Sequence, residues 1–575
     1  RQRQMCIRDR IELVIVIAVI AILAAVLIPT FANIIQKANV ANDVALARNM
    51  NTILIADEAT NGRSTDMYDV LIALEQGGFK LENLNPRADG NVFAWDKANN
   101  QIVYLDKKNP DKPIFQAKEI GNNKGDLYIT TRKAEVFADY PGYSYYFASD
   151  ISGNITLDEG SCLDTGEFAL TGDVSVKTNK DVEIHGTING TITVNSASGK
   201  ITNYSVVKNV VIENTAATSY HERGHVEAMK IQNSLTGKVV LENDAYVETL
   251  TNNNDKAKGK VESNGYVKAV AAESSDTTSV KPTTENKYAL EIGTYDQLVN
   301  FRNKVNAGAS YSGMTVKLTA DIDISERAWT PIGAAHRDKI EAQTNVFQGT
   351  FDGQGHKITG LTNTGFKISS VFKGSNSTTP EGYSEYVFGL FGSVYNATIK
   401  NIVMANVNID LACDEKEKVV GDSVGAIVGY AAGTNVTIDS CKVLSGSIVG
   451  YDAVAGIIGR TYSAKTTISN CENAATVTAI RRASGILGFT SGGKGTRVTA
   501  ITNCKNSGNV KQTGTPDTDP AGKGGINYYI VAGLAIYQKG NSPEIDITGS
   551  SNTGTVTLTV PAGEGKNKSD TVWYY

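Results

Sequence analysis

His221-Glu222-Arg223-Gly224-His225 has the residue types and spacing of H-E-x-x-H. In that motif two imidazoles hold a zinc ion and the glutamate activates its water, on a helix that stacks the histidines one turn apart. Gly224 interrupts the motif here, and Gly224-His225-Val226 aligns with Ala245-Tyr246-Val247 in a strand repeat. On a strand the two imidazoles stand about 13 Å apart, too far for one ion. A turn and a strand are expected, not a protease. Asp321, Asp323, Asp352 and His356 could cleave a polysaccharide only if two carboxylates stood about 5 to 10 Å apart in a cleft. Asp352-Gly353 is explained as a tight turn. Gly353-Gln354-Gly355 lacks the third glycine and the lysine of phosphate-binding loops, and Asp517-Thr518-Asp519 lacks calcium-loop spacing. Tyr140, Tyr143, Tyr145 and Tyr146 could stack on a sugar, although packing at a domain start is the simpler reading. No catalytic residue, cofactor or metal ligand is assigned, and the chain is read as a non-enzyme.

Thiols are the other reactive groups. Cys6 lies in an atypical leader, and the remaining five (Cys162, Cys413, Cys441, Cys471, Cys504) match no zinc or redox spacing. Cys441, Cys471 and Cys504 fall at one repeat position, with Ser550 aligned to them and Ile402 before them. Stacked strands would permit a thiol metal site or coil-to-coil disulfides there. Because Ile and Ser substitute at the position, a buried ladder of small side chains is favoured.

The elements that must position these groups follow from composition and pattern. With 575 residues the chain exceeds one core, and three or four domains are expected. A net charge of −5 with mixed signs and no basic tract excludes a nucleic-acid footprint. Fifty-five glycines against 12 prolines, with abundant Thr, Val, Asn and Ser, point to short strands and tight turns. From Leu13 to Ile28 no polar residue occurs, enough helix to cross a bilayer core of about 30 Å. Glu12 stands at the head of this run, where an unpaired carboxylate is costly and therefore asks for a partner. An Ala-rich helical pattern continues to a stop at Asn61-Gly62.

Ile11-Glu12-Leu13, then Val14-Ile15-Val16-Ile17, Val19 and Pro29, resemble the second half of the N-terminal signature of type IV pilins and type II secretion pseudopilins. The first half, Gly-Phe-Thr-Leu in the family, reads Ile7-Arg8-Asp9-Arg10 here. Residues 1–10 are read as a translated adapter run, not a natural leader. The resemblance implies that Glu12 neutralises the amino terminus of a neighbouring subunit, that Leu13, Ile15, Ile17, Val19 and Pro29 belong to the membrane and assembly helix, and that prepilin peptidase is a partner only of a chain with the true leader.

Met67 to Leu74 reads as a short helix, and Val92–Asp96 with Asn99–Asp106 as a hairpin, resembling the small heads of pseudopilin-like proteins of Gram-positive bacteria. Downstream, Gly224-His225-Val226-Glu227-Ala228, Ala245-Tyr246-Val247-Glu248-Thr249 and Gly265-Tyr266-Val267-Lys268-Ala269 recur at spacings of 21 and 20 residues, about one turn of a β-solenoid. A Ser/Thr-rich stretch marks a linker. Beyond it Gly389-Leu390-Phe391-Gly392, Gly425-Ala426-Ile427-Val428-Gly429, Gly456-Ile457-Ile458-Gly459 and Gly485-Ile486-Leu487-Gly488 precede strands beginning at Ile399, Ile438, Ile468 and Ile501, and Ile547 opens a degenerate copy. A period near 30 fits a parallel β-helix, with Gly392, Gly429, Gly459 and Gly488 expected to let coils turn sharply. With Asp321-Ile322-Asp323 and Gly353-Gln354-Gly355-His356 upstream, this region resembles the GLUG-repeat β-helices of bacterial surface and adhesin-like proteins.

The expected fold class is mainly β with a long N-terminal α-helix: a pilin-like helix and small α/β head followed by parallel β-solenoid repeats. The expected divisions are 1–10 leader, 11–62 transmembrane and assembly helix, 63–130 head, 131–273 solenoid-like repeats, 274–292 linker and 293–575 GLUG-type β-helix. Expected function is a cytoplasmic-membrane-anchored, cell-surface protein that displays an adhesin-like surface and joins a type IV pilus-like filament. Its expected partners are other pilin-like subunits, the membrane and a surface glycan or protein. The alternatives are a structural pseudopilin of a type II secretion-like system or a carbohydrate-active β-helix enzyme.

Overall fold

A computed structural model describes the chain outside residues 1, 62, 65, 81–83, 158–160, 179, 196–198, 215–218, 233–234, 255–259, 272–279, 284–288, 326–327, 334–344, 364–383, 413–418, 492–497, 515–528, 539–544, 560–571 and 575. Side chains are described for those residues except 2–15, 26, 61, 167, 214, 219, 260, 384–385, 419, 491, 538 and 572–574. The chain is mainly β, with one long N-terminal helix and predominantly parallel sheets.

The helix runs Gln2–Asn61, ending at the expected stop, and contains Pro29. Its two halves differ. Between Val16 and Ile35 the described large apolar side chains are exposed, Ile28 at 67% among them. From Asp43 onward one face is buried through Asp43, Ala47, Met50 and Leu54, the three- and four-residue spacing of a helical stripe. Asp43 accepts hydrogen bonds from the Arg87 and Ala88 N–H groups (2.8 and 2.9 Å) and from the Tyr104 hydroxyl (2.8 Å). Two turns on, the Asn51 side-chain amide donates to the Ile102 carbonyl at 2.9 Å and accepts its N–H at 2.6 Å. Both buried polar groups are thus satisfied by the head, which they clamp to the helix. Beneath them lie Val70, Leu71 and Leu74 of the Met67–Gln76 helix, with Trp95 and Tyr104 of the hairpin.

Val92–Asp96 and Gln101–Leu105 pair antiparallel, as the sequence pattern expects. Leu127–Thr131 then pairs on both edges, antiparallel to the first hairpin strand and parallel to Ser144–Phe147. Pairing continues through Cys162–Thr171 to Val182–Asn195, so one apolar core runs from Val92 to Val280 across the expected division at 130/131. Beyond it, Ile201–Asn203, Ser219–Glu222, Lys238–Leu241 and Lys260–Ser263 form one parallel column. Val206–Asn214, His225–Ile231, Tyr246–Asn252 and Tyr266–Val270 form a second. Val226, Val247 and Val267 stand opposite one another, the alignment read from the repeats.

The third region uses five sheets. From Thr398–Lys400 the chain enters Val403–Ala405, Val407–Leu411, Val419–Gly425 and Val428–Ala432, each in a different sheet, and returns to the first at Asn435–Asp439. The same order of sheets recurs from Asn435, Lys465 and Val498. Ile399, Ile438, Ile468, Ile501 and Ile547 form a continuous register column, all but the last fully buried. Asn401, Ser440, Asn470, Asn503 and Gly549 hold the adjoining corner at φ of 52 to 63°, the left-handed region that Asn and Gly tolerate best.

Two expectations change. Residues 289–292 of the expected linker form a strand paired with Thr315–Leu318, extending the first of the five sheets upstream, and Val280 is buried in the preceding core. The Ser/Thr-rich letters stop short of this strand, whose Leu290 and Ile292 are apolar and buried in the core of the third region. An additional helix, Tyr295–Asn306, is capped by Thr294, whose hydroxyl accepts the Gln297 N–H, and buries Leu298, Phe301, Lys304 and Val305.

Candidate functional site

The expected assembly residues divide between two conditions. Glu12, Leu13 and Ile15 lie on the helical backbone, but their side chains fall outside the described residues. Ile17, Val19 and Pro29 are described and exposed, part of an apolar helix surface that the described residues leave uncovered. By length and composition this helix can cross a membrane or act as a signal sequence.

The H-E-x-x-H residues are on two strands, Ser219–Glu222 and His225–Ile231, with Arg223-Gly224 as the corner between them. Each histidine meets a different carboxylate: His221 Nδ1 is 2.5 Å from Glu242 Oε1, and His225 Nε2 is 3.6 Å from Glu248 Oε1. Glu222 is fully buried and accepts from Asn203 Nδ2 (3.0 Å), the Tyr220 hydroxyl (2.5 Å) and the Gly224 N–H (2.7 Å). Burial pushes its carboxyl up to about 7, against those hydrogen bonds and the attraction of Lys304. A base so enclosed cannot reach a metal-bound water. Lys304 enters from the Tyr295–Asn306 helix, donating to the Asp244 carbonyl, and burial pushes its ammonium down to about 8. Asn300 of the same helix donates to the Arg223 carbonyl (3.3 Å) and to Asp244 (3.2 Å). This polar node joins the middle region to the third.

The thiols of Cys441, Cys471 and Cys504 are free and buried. Each donates to the carbonyl two residues earlier, at 3.5, 3.2 and 3.5 Å, and to a carbonyl of the neighbouring parallel strand at 3.8, 3.8 and 3.6 Å. The Ser550 hydroxyl makes the same two bonds, both at 3.3 Å, which explains the Cys/Ser exchange. Gly392, Gly429, Gly459 and Gly488 lie inside strands without left-handed φ, so sharp turning is not their role. Space is: a Cβ on Gly488 would stand 2.4 Å from the Gly459 carbonyl oxygen, and one on Gly459 would stand 2.5 Å from the Val424 nitrogen.

The remaining candidates are structural. Tyr140, Tyr143 and Tyr145 are buried and donate to the carbonyls of Gly90, Pro110 and Tyr140, and Tyr146 is buried in the head core. Asp352 accepts from the Gln354 N–H and Asn401 and pairs with Lys400 at 3.2 Å. His356 lies 3.3 Å from Asp321, and Asp323 accepts the Ser325 N–H. Asp517-Thr518-Asp519 and Cys413 lie outside the described residues.

Sequence reading missed three features. Arg460 bonds Asp422 and Asp452 at 3.1 Å each, and Arg482 grips Asp452 with Nε at 2.6 Å and Nη2 at 2.5 Å, all four side chains buried. Burial alone would raise the Asp452 carboxyl, and the two guanidiniums more than reverse this, taking it down to about 2. Asn473, Asn506 and Asn552 form an amide ladder at 2.7 and 2.6 Å, signalled by Asn two residues after Cys471, Cys504 and Ser550. Cys162, Glu183 and His185 place their donor atoms within 4.8 Å of one another. Comparison with protein-family models, with curated proteins and with solved structures finds no match to this chain.

Proposed function

We propose that the chain is a membrane-anchored, pilin-like surface protein whose two repeat regions are β-solenoids presented as an elongated binding surface. One observation carries this reading: a single helix has an unpartnered apolar N-terminal half and a C-terminal half built into the core of a small head. A helix of that kind anchors in lipid and later packs against copies of itself, with Glu12 meeting the positive terminus of a neighbour in a low-dielectric bundle. The solenoid reading is supported by the ordered return to each sheet and by the register columns of valine and isoleucine. Such stacking gives each coil the partner it needs to bury its apolar face. The long stacked flank, like the surfaces of other repeat proteins, suits a glycan or protein ligand.

The test uses a chain carrying Gly-Phe-Thr-Leu in place of Ile7–Arg10. Glu12→Ala is expected to insert in the membrane normally and to be missing from sheared surface filaments. Normal incorporation of the variant would sink the assembly reading. A chain confined to membranes and required for export of other proteins would instead identify a structural pseudopilin.

A further inference from the structure

We propose that Cys162, Glu183 and His185 form a zinc-class metal site that staples the first coils of the middle region. Period-two alternation puts Glu183 and His185 on one face of Val182–Asn195. Parallel register sets Cys162 directly opposite Glu183 and Asp164 opposite His185, so the thiol joins the same face. The three donor atoms lie within 4.8 Å of one another, with His185 Nε2 at 3.5 Å from Glu183 Oε2. Zinc bonds of about 2.0 to 2.3 Å in a tetrahedron need donor separations of roughly 3.3 to 3.8 Å, so side-chain shifts of about 1 Å close the set.

The surroundings favour binding over coincidence. The His185 ring stacks on Tyr204 at 4.5 Å and 9°, which fixes its plane while Nε2 faces the carboxylate. Arg223 lies over the same tyrosine ring at 5.2 Å and holds it from the next coil. Cys162 is a free thiol, and its N–H donates to Ser144 Oγ at 3.1 Å, which fixes the backbone that carries it. Asp164 is held by the Gly166 N–H at 2.8 Å, adding negative charge without entering the donor set. On binding, the thiol proton leaves to solvent and a thiolate–metal bond forms, with a neutral imidazole and a carboxylate completing three ligands. The dication is then balanced by two anionic donors. The fourth position faces solvent, because Glu183 is exposed and His185 only half-buried. Soft sulfur with imidazole and one carboxylate selects zinc over magnesium or calcium.

The experiment uses the detergent-solubilised full chain, stripped with a chelator and kept reduced, with cobalt(II) as the optical probe and zinc(II) as its competitor. One cobalt per chain with a thiolate charge-transfer band, bleached by zinc, is expected. Cys162→Ser should abolish the band, whereas Cys471→Ser in the buried ladder should leave it unchanged. His185→Asn and Glu183→Gln should each weaken zinc more than about 10-fold, the lower end of what even an outer-sphere partner contributes. A band that survives Cys162→Ser, or affinity indifferent to His185→Asn, would overturn the site and leave a plain His–Glu ion pair. Should Cys162→Ser fail to fold by circular dichroism, the His185→Asn and Glu183→Gln titrations decide alone.

Discussion

The middle and third regions both stack parallel strands, yet they turn their corners by different chemistry. The middle region spends two strands on a repeat of about 20 residues and packs its corner with buried Asn203 and Glu222, a carboxylate with no direct ion pair among the described residues. The third spends five strands on a repeat of 30 residues or more, places Asn, Ser or Gly in left-handed conformation at one corner, and pairs buried Arg460 and Arg482 with buried Asp422 and Asp452. A short coil can tolerate a single charged corner because the Tyr295–Asn306 helix closes over it.

The contrast predicts unequal sensitivity. Asp452→Ala strands the buried Arg482 guanidinium and leaves Arg460 with Asp422 alone, and is expected to cost about 3–5 kcal/mol. The loss should appear as lost hydrogen-exchange protection in Val428–Ala432 through Leu487–Ser491, with the head unaffected. Equal protection throughout would show that the network does not hold the coils together.

The middle region should instead answer to pH. Glu222 has a folded carboxyl raised to about 7, so its contribution is fully present below the ordinary carboxylate range and is lost as pH rises to 7. Its loss is on the order of 3 kcal/mol. Lys304, lowered to about 8, has the opposite sign: its contribution returns only as pH rises from about 8 past the ordinary lysine range. Urea unfolding of the middle region should therefore show a stability minimum between pH 7 and 8. Glu222→Gln should remove the acid limb and Lys304→Met the alkaline one. A pH-flat midpoint in the unsubstituted protein would contradict the node.

Gly488→Ala is expected to cost about 1–3 kcal/mol, because its methyl meets backbone, not a mobile side-chain end. Asn503→Ala should cost about 1–2 kcal/mol and Asn503→Gly nearly nothing, the order that left-handed backbone imposes. Calorimetry on the three variants ranks them, and a neutral Asn503→Ala would remove the corner argument.

Much of this architecture was legible before any coordinates. The helix stop at Asn61, the hairpin at 92–105 and the isoleucine and valine columns all followed from pattern. The Tyr295–Asn306 helix was legible but overlooked, since Thr294 precedes an apolar 3–4 spacing through Leu298, Phe301 and Val305. The glycine repeats were visible while their role was not, because a close backbone approach and a tight turn leave the same letter in the sequence.

Period and composition by themselves determined the long helix, the parallel strand columns and the residues that share each column, because those depend on local spacing and on burial that repeats with the coil. Only the tertiary structure decided the rest. The clamps at Asp43 and Asn51 and the Glu222–Lys304 node join residues whose separations follow no period, while Arg482 and Glu183 stand one repeat from Asp452 and Cys162 and are brought to them by strand register. Their proximity is set by register between strands and by loops of unequal length, and register is a property of the packed backbone, invisible in any one segment.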